Sequence, residues 1–407
     1  MNKSIRGLAI AAAALLCAAA AFAQSGTQKV KIAVLNDMSG LYADLGGPGS
    51  VAAAKMAIAD FAKVNPILKV EVVSGDHQNK PDIGSSLATQ WYDVDNVDMI
   101  IDVPNSGVAL AVSAVATLKN KVFIVSGSAS SAITGAKCSP NTVHWTYDTW
   151  MLAHGTGAAM VKAGGDSWFF LTADYAFGYA LEGDTAAAVE QAGGKVLGKV
   201  RHPLNTNDFS SFLLQAQASK AKVVGLANAG GDTINSIKQA SEFGIVKGGQ
   251  SLAGLLVFAT DINALGLKTA QGLFLTETWY WDLNDPSRAW TKRWHKERGA
   301  DNKYPAMNHA GVYAGITHYL KAVVALKSAA DGKAVVAQMK QMPTDDPLFG
   351  KGSVRADGRV IHPAYLFEVK KPEESKYPGD FYKTRATIPA DEAFRPLKEG
   401  NCPMVSG

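Results

Sequence analysis

Short runs of apolar residues alternate with longer amphipathic stretches along most of the chain, a pattern typical of parallel sheets flanked by helices. The run at 122–125 is apolar at every position, which predicts a strand buried on both faces of a sheet. The stretch at 50–64 repeats apolar residues every three or four positions, which predicts a helix with one buried face. The same reasoning predicts, in the first part of the chain, strands at 30–35, 69–73, 97–103 and 122–125 and helices at 50–64, 81–94 and 108–118.

The alternation starts again after a predicted helix that ends near residue 163. This second block contains predicted strands at 167–171, 195–200, 222–226, 255–258 and 272–275, with helices that end at 192, 218 and 243. It is followed by helices at 287–298, 306–329 and 333–342, a hairpin turn at Asp357 and Gly358, a strand at 365–369 and an irregular polar tail at 373–390. We therefore predict an α/β fold with two lobes, between which the chain crosses more than once.

The first residues predict export from the cytoplasm. Lys3 and Arg6 precede an apolar run at 8–21, and a small-x-small site ends at Ala23. These three features predict a signal peptide over residues 1–23 that is cleaved near Ala23. A membrane anchor is the weaker alternative, because the run is short and alanine-rich for a span of about 20 apolar residues. We expect no membrane insertion of the mature chain.

Charge and cysteine content narrow the possible partners. Loss of Lys3 and Arg6 lowers the formal charge from +4 to +2, which gives no electrostatic case for binding nucleic acid. Cys138 and Cys402 remain after cleavage, and two thiols in an exported protein usually pair. Two free thiols are the alternative. Neither cysteine has another cysteine or histidine at ligand spacing, so we expect no metal site.

Catalytic and cofactor motifs are weak. The chain contains no Gly-x-Ser-x-Gly, His-Glu-x-x-His or Cys-x-x-Cys motif, so we expect no enzyme activity. The stretch at 47–52 almost matches a dinucleotide-binding fingerprint, but it lies a dozen residues beyond the end of the preceding strand. We therefore expect no cofactor. An exported Rossmann-type NAD-dependent oxidoreductase is the alternative function.

The predicted strand at 122–125 breaks abruptly into a serine-rich turn, at 126–131. A turn at the carboxyl end of a parallel strand presents hydroxyl and backbone N–H groups that suit a small anion. An ordinary turn that binds nothing is the alternative. Loops rich in Ser, Thr, Gly, Asn and Tyr follow strands in both blocks, which predicts a cleft that grips a ligand from two sides and closes on it.

Three motifs carry a resemblance to a known family. They are Ile-Ala-Val-Leu-Asn-Asp-Met-Ser-Gly at 32–40, Gly-Asp-His-Gln-Asn-Lys-Pro at 75–81 and Ala-Asp-Tyr-Ala-Phe-Gly at 173–178. Together with the signal peptide they resemble the periplasmic substrate-binding proteins of ABC importers, of the branched-chain amino acid (Leu/Ile/Val) type. The resemblance implies a periplasmic monomer that captures a small carboxylate and delivers it to an inner-membrane ABC permease.

The resemblance also implies a type I periplasmic binding fold, in which two Rossmann-like lobes are joined by a hinge of three crossings. The crossings correspond to 146–148, 276–278 and 343–349. Lobe 1 then comprises 29–147 plus 278–345, lobe 2 comprises 148–277 plus 346–385, and the C-terminal tail at 386–407 returns to lobe 1.

Nineteen candidate ligand-binding residues combine the serine-rich turn, the loops that match the family and the nearby aromatic residues. They are Ser39, Tyr42, Pro104, Asn105, Ser106, Ser126, Gly127, Ser128, Ala129, Ser130, Trp145, Tyr147, Phe177, Asn228, Ala229, Gly230, Thr260, Asp261 and Tyr280. Amino-acid binders of the family pair the ligand ammonium with an acid in the loop that matches 259–261. Thr260 would remove that partner and Asp261 would keep it, while Phe177 replaces a hydrogen-bonding tyrosine. We therefore favour an aromatic or other organic acid, with a branched-chain or apolar amino acid as the alternative.

Overall fold

The computed structural model describes residues 28–300 and 302–405, so the predicted signal peptide lies outside the described residues. The first sheet has five parallel strands in the order β2-β1-β3-β4-β5. Its central strands β3 and β4 are buried at every position, as their apolar sequences predict. The elements are β1 (Gln28–Asn36), α1 (Gly47–Val64), β2 (Leu68–Asp76), α2 (Pro81–Asp93), β3 (Met99–Asp102), α3 (Ser106–Leu118), β4 (Val122–Val125) and β5 (Thr142–His144).

The second sheet has four parallel strands in the order β7-β6-β8-β9. A π-helical segment, Ala153–Gly157, separates the first two helices of this part of the chain. The elements are α4 (Thr149–Leu152), α5 (Ala158–Lys162), β6 (Ser167–Ala173), α6 (Ala176–Gln191), β7 (Lys195–His202), α7 (Ser210–Ala218), β8 (Val223–Ala227), α8 (Gly231–Glu242) and β9 (Ser251–Gly254).

The strand predicted at 255–258 is wrong. The strand ends at Gly254, and 255–258 is a buried loop that leads into helix α9 (Ala259–Leu265). The N–H of Phe258 donates to the Asp261 side chain at 3.0 Å, which begins the helix. A run of apolar residues indicates that a segment is buried but not that it is a strand, because a loop packed between two lobes can be as buried as a strand.

A third, antiparallel sheet packs into the core of the second lobe, with the order β10-β14-β15. β10 and β14 are separated in the chain by helices that return to the first sheet, where α12 packs along α1. The remaining elements are α10 (Leu267–Ala270), β10 (Phe274–Glu277), α11 (Asp285–Arg298), α12 (Met307–Leu326), α13 (Gly332–Gln341), β11 (Thr344–Asp346), β12 (Gly350–Val354), β13 (Val360–Ile361), β14 (Ala364–Val369), β15 (Tyr382–Ile388) and α14 (Ala390–Ala393).

The irregular tail predicted at 373–390 is also wrong, because β15 lies within it and pairs with β14. Only Tyr382 of this strand is fully buried, so the strand lacks the apolar alternation that sequence reasoning needs. The hairpin turn at Asp357 and Gly358 is confirmed, and it joins β12 to β13. β5, absent from the predicted strands, extends the first sheet beside this hairpin through a bridge between His144 and Arg359.

The disulfide joins Cys138 to Cys402, as the pairing of the two cysteines predicts. Nearby, the Arg395 guanidinium donates to the Ser131 carbonyl at 3.0 Å, so the C-terminal segment lies against the loop that follows the serine-rich turn. The lobe boundaries stay a prediction. No helix in 28–300 or 302–405 combines the length and apolar character needed to cross a membrane.

Candidate functional site

The carboxyl ends of β3 and β4 face the second lobe, and a small, narrow cavity lies between the two lobes at this place. Most of its wall is aromatic or aliphatic, and both lobes contribute. The lining residues are Tyr42, Leu45, Pro104, Gly127, Ala129, Tyr147, Tyr175, Phe177, Ala229 and Leu256. Seven of these ten are among the candidate residues from the sequence, so the predicted loops do meet at one place.

The turn Gly127–Ala129 lies beside this cavity and has backbone donors without a partner in the described residues. Its three carbonyls are occupied: Gly127 accepts from the Tyr147 hydroxyl at 2.5 Å, Ser128 bonds His144 Nε2 at 2.8 Å, and Ala129 accepts from the Thr149 N–H at 2.8 Å. Burial lowers the pKa of His144 well below its ordinary value, so its ring is neutral. By contrast, no described residue accepts from the N–H of Ser128 or Ala129. Two free N–H groups in one turn suit an anion.

The serine side chains hold this turn in place. The Ser126 hydroxyl donates to Asp102 Oδ1 at 2.9 Å, and the Ser128 hydroxyl donates to the Val103 carbonyl. Ser106 Oγ accepts from the Ser130 N–H at 3.2 Å, and Ser130 Oγ accepts from the Ala132 N–H at 3.4 Å. These hydroxyls were expected to contact the ligand, and in the structure the Ser126 and Ser128 hydroxyls donate to protein groups while the Ser106 and Ser130 hydroxyl oxygens accept from them.

Tyrosine hydroxyls supply the other polar groups of the cavity. The hydroxyl oxygens of Tyr42 and Tyr175 lie 2.7 Å apart and connect the first lobe to the second. Burial raises the pKa of both tyrosines and of Tyr147, so all three remain neutral hydrogen-bond donors at physiological pH. Phe177 packs beside Tyr175 with ring centroids 5.8 Å apart, which completes an apolar wall.

Five further candidates support the surroundings and do not line the cavity: Ser39, Asn105, Trp145, Asn228 and Tyr280. Ser39 donates to Asp76, and Asn105 caps α3. Trp145 packs against His318. Asn228 accepts from Thr233, and Tyr280 donates to the Gly379 carbonyl. Except for the exposed Ser39, these contacts are the hydrogen bonds and ring packing that buried polar and aromatic groups need.

Gly230, a candidate from the family resemblance, makes a close approach beside the cavity. Its φ is +59°, and a Cβ there would lie 2.8 Å from the Leu41 carbonyl oxygen and 3.0 Å from the Tyr42 ring. A glycine is required for both reasons. It lets the second lobe approach the loop that carries Tyr42.

The loop at 259–261 contributes neither of its polar side chains to the cavity wall. Asp261 Oδ2 accepts from the Phe258 N–H at the start of α9, and burial raises the pKa of Asp261 to about 7. Thr260 faces a separate small space beside Asp44 and Arg298. Among the residues that the structure describes, those that line the cavity include no aspartate or glutamate.

Sequence reasoning missed Leu45, Tyr175 and Leu256. Tyr175 stands two residues before Phe177 in a motif that was recognised, so its place in that loop was the available signal. Leu256 belongs to the run that was misread as a strand. Leu45 lies in the long loop before α1, where nothing in the pattern of residues distinguishes it from its neighbours.

Comparison with known proteins agrees with this architecture. The sequence model of a family described as periplasmic binding protein matches residues 29–376. The chain belongs to the periplasmic binding protein family. The family implies a periplasmic location, the binding of a small ligand and delivery to an ABC permease. This protein is therefore a transport binding protein and not an enzyme, which removes the oxidoreductase alternative.

Solved structures show the same type I periplasmic binding fold. A periplasmic binding protein from Burkholderia mallei is 52% identical, with a TM-score of 0.90 over 94% of this chain and 100% of that chain. A branched chain amino acid ABC transporter periplasmic ligand-binding protein from Burkholderia xenovorans LB400 is 37% identical, with a TM-score of 0.81 over 92% of this chain and 99% of that chain.

A more distant structure shares the fold alone. It is a solute binding protein of an ABC transporter from Rhodopseudomonas palustris BisB5, in complex with 3,4-dihydroxy benzoic acid. It is 24% identical, with a TM-score of 0.79, and the match covers 89% of this chain and 98% of that chain.

Proposed function

We propose that this binding protein captures a small organic acid with an aromatic or branched apolar body and without an ammonium group. The ligand carboxylate accepts from the N–H groups of Ser128 and Ala129, and its apolar body packs against Phe177 and the tyrosine rings. The mature protein begins near Gln24 after removal of residues 1–23, acts as a monomer with the lobe boundaries given above, and delivers the acid to an inner-membrane ABC permease.

The composition of the cavity wall carries this proposal. A carboxylate finds unpaired N–H donors at the serine-rich turn, and a ring finds four aromatic side chains. An ammonium group would find no carboxylate on the wall, because Asp261 is turned towards the start of α9. Burying an ammonium without a charged partner is unfavourable by several kcal/mol, so the wall selects against amino acids.

A branched-chain amino acid is the second candidate. It is favoured by the similarity to the Burkholderia xenovorans protein, a branched chain amino acid ABC transporter ligand-binding protein that is 37% identical. For this ligand to bind, the ammonium group would depend on neutral acceptors such as the Tyr42 and Tyr175 hydroxyls. An ammonium group loses its bound water on entering the cavity. Neutral hydroxyl acceptors compensate for that loss less well than a carboxylate does.

A thermal-shift experiment with matched ligands distinguishes the candidates. Benzoate is compared with benzamide, which lacks the charge, and 4-methylpentanoate is compared with L-leucine, which adds the ammonium to the same carbon skeleton. We expect at least one of the two acids to raise the melting temperature by about 3 °C at a hundred times its Kd, with no effect of benzamide or L-leucine. Stabilisation by L-leucine but not by 4-methylpentanoate would establish the second candidate.

Two phenylalanine variants test where the acid binds. Phe177→Leu removes a ring from the cavity wall, and Phe209→Leu removes an equally buried ring from the core of the second lobe. We expect both variants to melt at lower temperature, and only Phe177→Leu to lose the stabilisation by benzoate. Equal stabilisation of the two variants would contradict the proposed cavity.

A further inference from the structure

Asp102 is a fully buried carboxylate directly beneath the serine-rich turn. It is the last residue of β3 and is 0% exposed. Its Oδ1 accepts from the Ser126 hydroxyl at 2.9 Å, its Oδ2 accepts from the Asn36 side-chain amide, and its carbonyl accepts from the Gly127 N–H at 3.3 Å. Side chain and backbone of this one residue thus hold the start of the turn.

Gly127 lies against both this carboxylate and the cavity. A Cβ at Gly127 would lie 2.6 Å from Asp102 Oδ1, and Gly127 itself lines the cavity. The backbone is strained at the same point, since φ is +89° at Asp102 and +56° at Val103, a β-branched residue for which that value is a genuine outlier. Strain kept in a folded protein points to a conformation that function requires.

Within the part of the chain that the structure describes, no cation balances this carboxylate. Asp102 forms no salt bridge with any residue between 28 and 405 that the structure describes. The titratable group shown to interact with it is Tyr147 after β5, whose pKa is raised by burial, and the other groups that contact it are the neutral side chains of Asn36, Ser50 and Ser126. A ligand carboxylate bound to the Ser128 and Ala129 N–H groups would therefore place a second negative charge close to the Asp102 carboxylate, which has no cationic partner.

We propose that Asp102 is a positioning residue for the carboxylate-binding turn, and that it takes up one proton when the acid binds. The proton comes from solvent and resides on the Asp102 carboxyl while the ligand is bound. This inference rests on the proposed function. Its physical basis is that two carboxylates a few ångströms apart in a buried site do not both stay ionised.

The pH dependence follows from the direction of the shift. Burial, opposed by the donors around it, raises the pKa of Asp102 to about 6 in the empty protein, and a bound anion raises it further. As long as the ligand itself stays ionised, affinity is then highest below pH 6, where Asp102 is mostly protonated in both states. It falls by up to about ten-fold per pH unit above pH 6, until the pKa of the complex is passed.

Calorimetry with benzoate at pH 7 in buffers of different ionisation enthalpy measures the proton directly. The observed heat varies linearly with the buffer enthalpy, and the slope is the number of protons taken up. We expect a slope between about 0.5 and 1 proton per benzoate, together with an affinity that declines from pH 6 to pH 8. A slope of zero with measurable binding overturns the inference and leaves the proposed function standing.

Asp102→Asn removes the titrating group while preserving its size. We expect this variant to bind benzoate with a slope near zero and with an affinity that no longer depends on pH. Asp346→Asn is the matched control, because burial also raises the pKa of Asp346 to about 6 while its carboxylate accepts from the Leu348 and Phe349 N–H groups away from the cavity. Its slope and pH profile should equal those of the unmodified protein.

The outcomes separate the two proposals. Loss of proton uptake in Asp346→Asn, or its persistence in Asp102→Asn, would overturn the assignment to Asp102. If Asp102→Asn fails to fold, the slope and pH profile of the unmodified protein still decide the question. Absence of binding by both benzoate and 4-methylpentanoate would overturn the proposed function and this inference with it.

Discussion

Gly127 is the residue whose identity the site constrains most directly. Its backbone is not left-handed, so conformational freedom is not the reason for a glycine. The reason is space: a side chain would meet Asp102 Oδ1 at 2.6 Å and the Pro104 Cα at 2.9 Å. The turn therefore lies as close to the end of β3 as two backbones allow, and this closeness points the turn at the cavity.

Gly127→Ala should displace the turn. We expect a loss of about 1–3 kcal/mol in the free energy of unfolding, as in other overpacked sites, and at least a ten-fold loss of affinity for benzoate. Urea unfolding and calorimetry measure the two effects. Gly183→Ala is the control, since this exposed glycine of α6 has nothing within 4 Å of the added Cβ and alanine is the better helix former. Normal binding by Gly127→Ala would contradict the close approach.

At the scale of elements, the β12–β13 hairpin fixes one side of the cavity through a single buried arginine. Arg359 Nη1 donates to the Tyr147 carbonyl at 3.0 Å and lies 3.5 Å from Asp148 Oδ2. Asp148 in turn caps α4 by accepting from the Met151 N–H at 2.9 Å. Burial lowers the pKa of Arg359 to about 10, so it remains charged. A hairpin late in the chain thus orients Tyr147 and the first helix beyond it.

Arg359→Met should destabilise the protein by about 3–5 kcal/mol, because it leaves the Asp148 carboxylate buried without its partner. The double variant Arg359→Met with Asp148→Asn should lose less than the sum of the two single changes. Urea unfolding gives all three values. Lys351→Met, on the exposed face of β12, is the control and should change stability by less than about 0.5 kcal/mol. Strict additivity of the two changes would show that the pair does not interact.

At the scale of the whole molecule, the two lobes touch across the cleft. The hydroxyls of Tyr42 and Tyr175 meet at 2.7 Å, and the Gly231 N–H points at the Leu41 carbonyl at 3.5 Å. The structure thus shows a closed arrangement in which the cavity wall is shared between lobes. In such an arrangement the stability of the closed state contributes to ligand affinity.

Tyr175→Phe should shift the balance towards an open cleft. We expect affinity for benzoate to fall about five-fold, the equivalent of one hydrogen bond of ~1 kcal/mol. Calorimetry gives the affinity, and small-angle scattering of the ligand-saturated protein gives the radius of gyration. Tyr179→Phe is the control, since its hydroxyl bonds Asp174 within the second lobe. The same loss of affinity in both variants would argue against a role for the contact between lobes.

Much of the fold followed from local patterns. The central strands β3, β4 and β6 were predicted within a few residues, because a strand buried on both faces is apolar whatever its partners are. The short strand β5 was not predicted, and two longer stretches were misread: β15, which is mostly exposed, and 255–258, which is buried without being a strand. A strand is usually both buried and hydrogen-bonded to its neighbours. β15 is hydrogen-bonded although it is mostly exposed, and 255–258 is buried without strand hydrogen bonds.

The sequence alone determined the repeated α/β blocks, the position of the serine-rich turn and the family, because each depends on residues close together in the chain. Only the tertiary structure decided which atoms of the turn are free. Ser128 finds the Val103 carbonyl 25 residues away and Tyr42 finds Tyr175 133 residues away, so hydroxyls expected to face a ligand are occupied while backbone N–H groups remain. A hydrogen-bond donor takes whichever acceptor folding brings within reach, and no local pattern of residues records that choice.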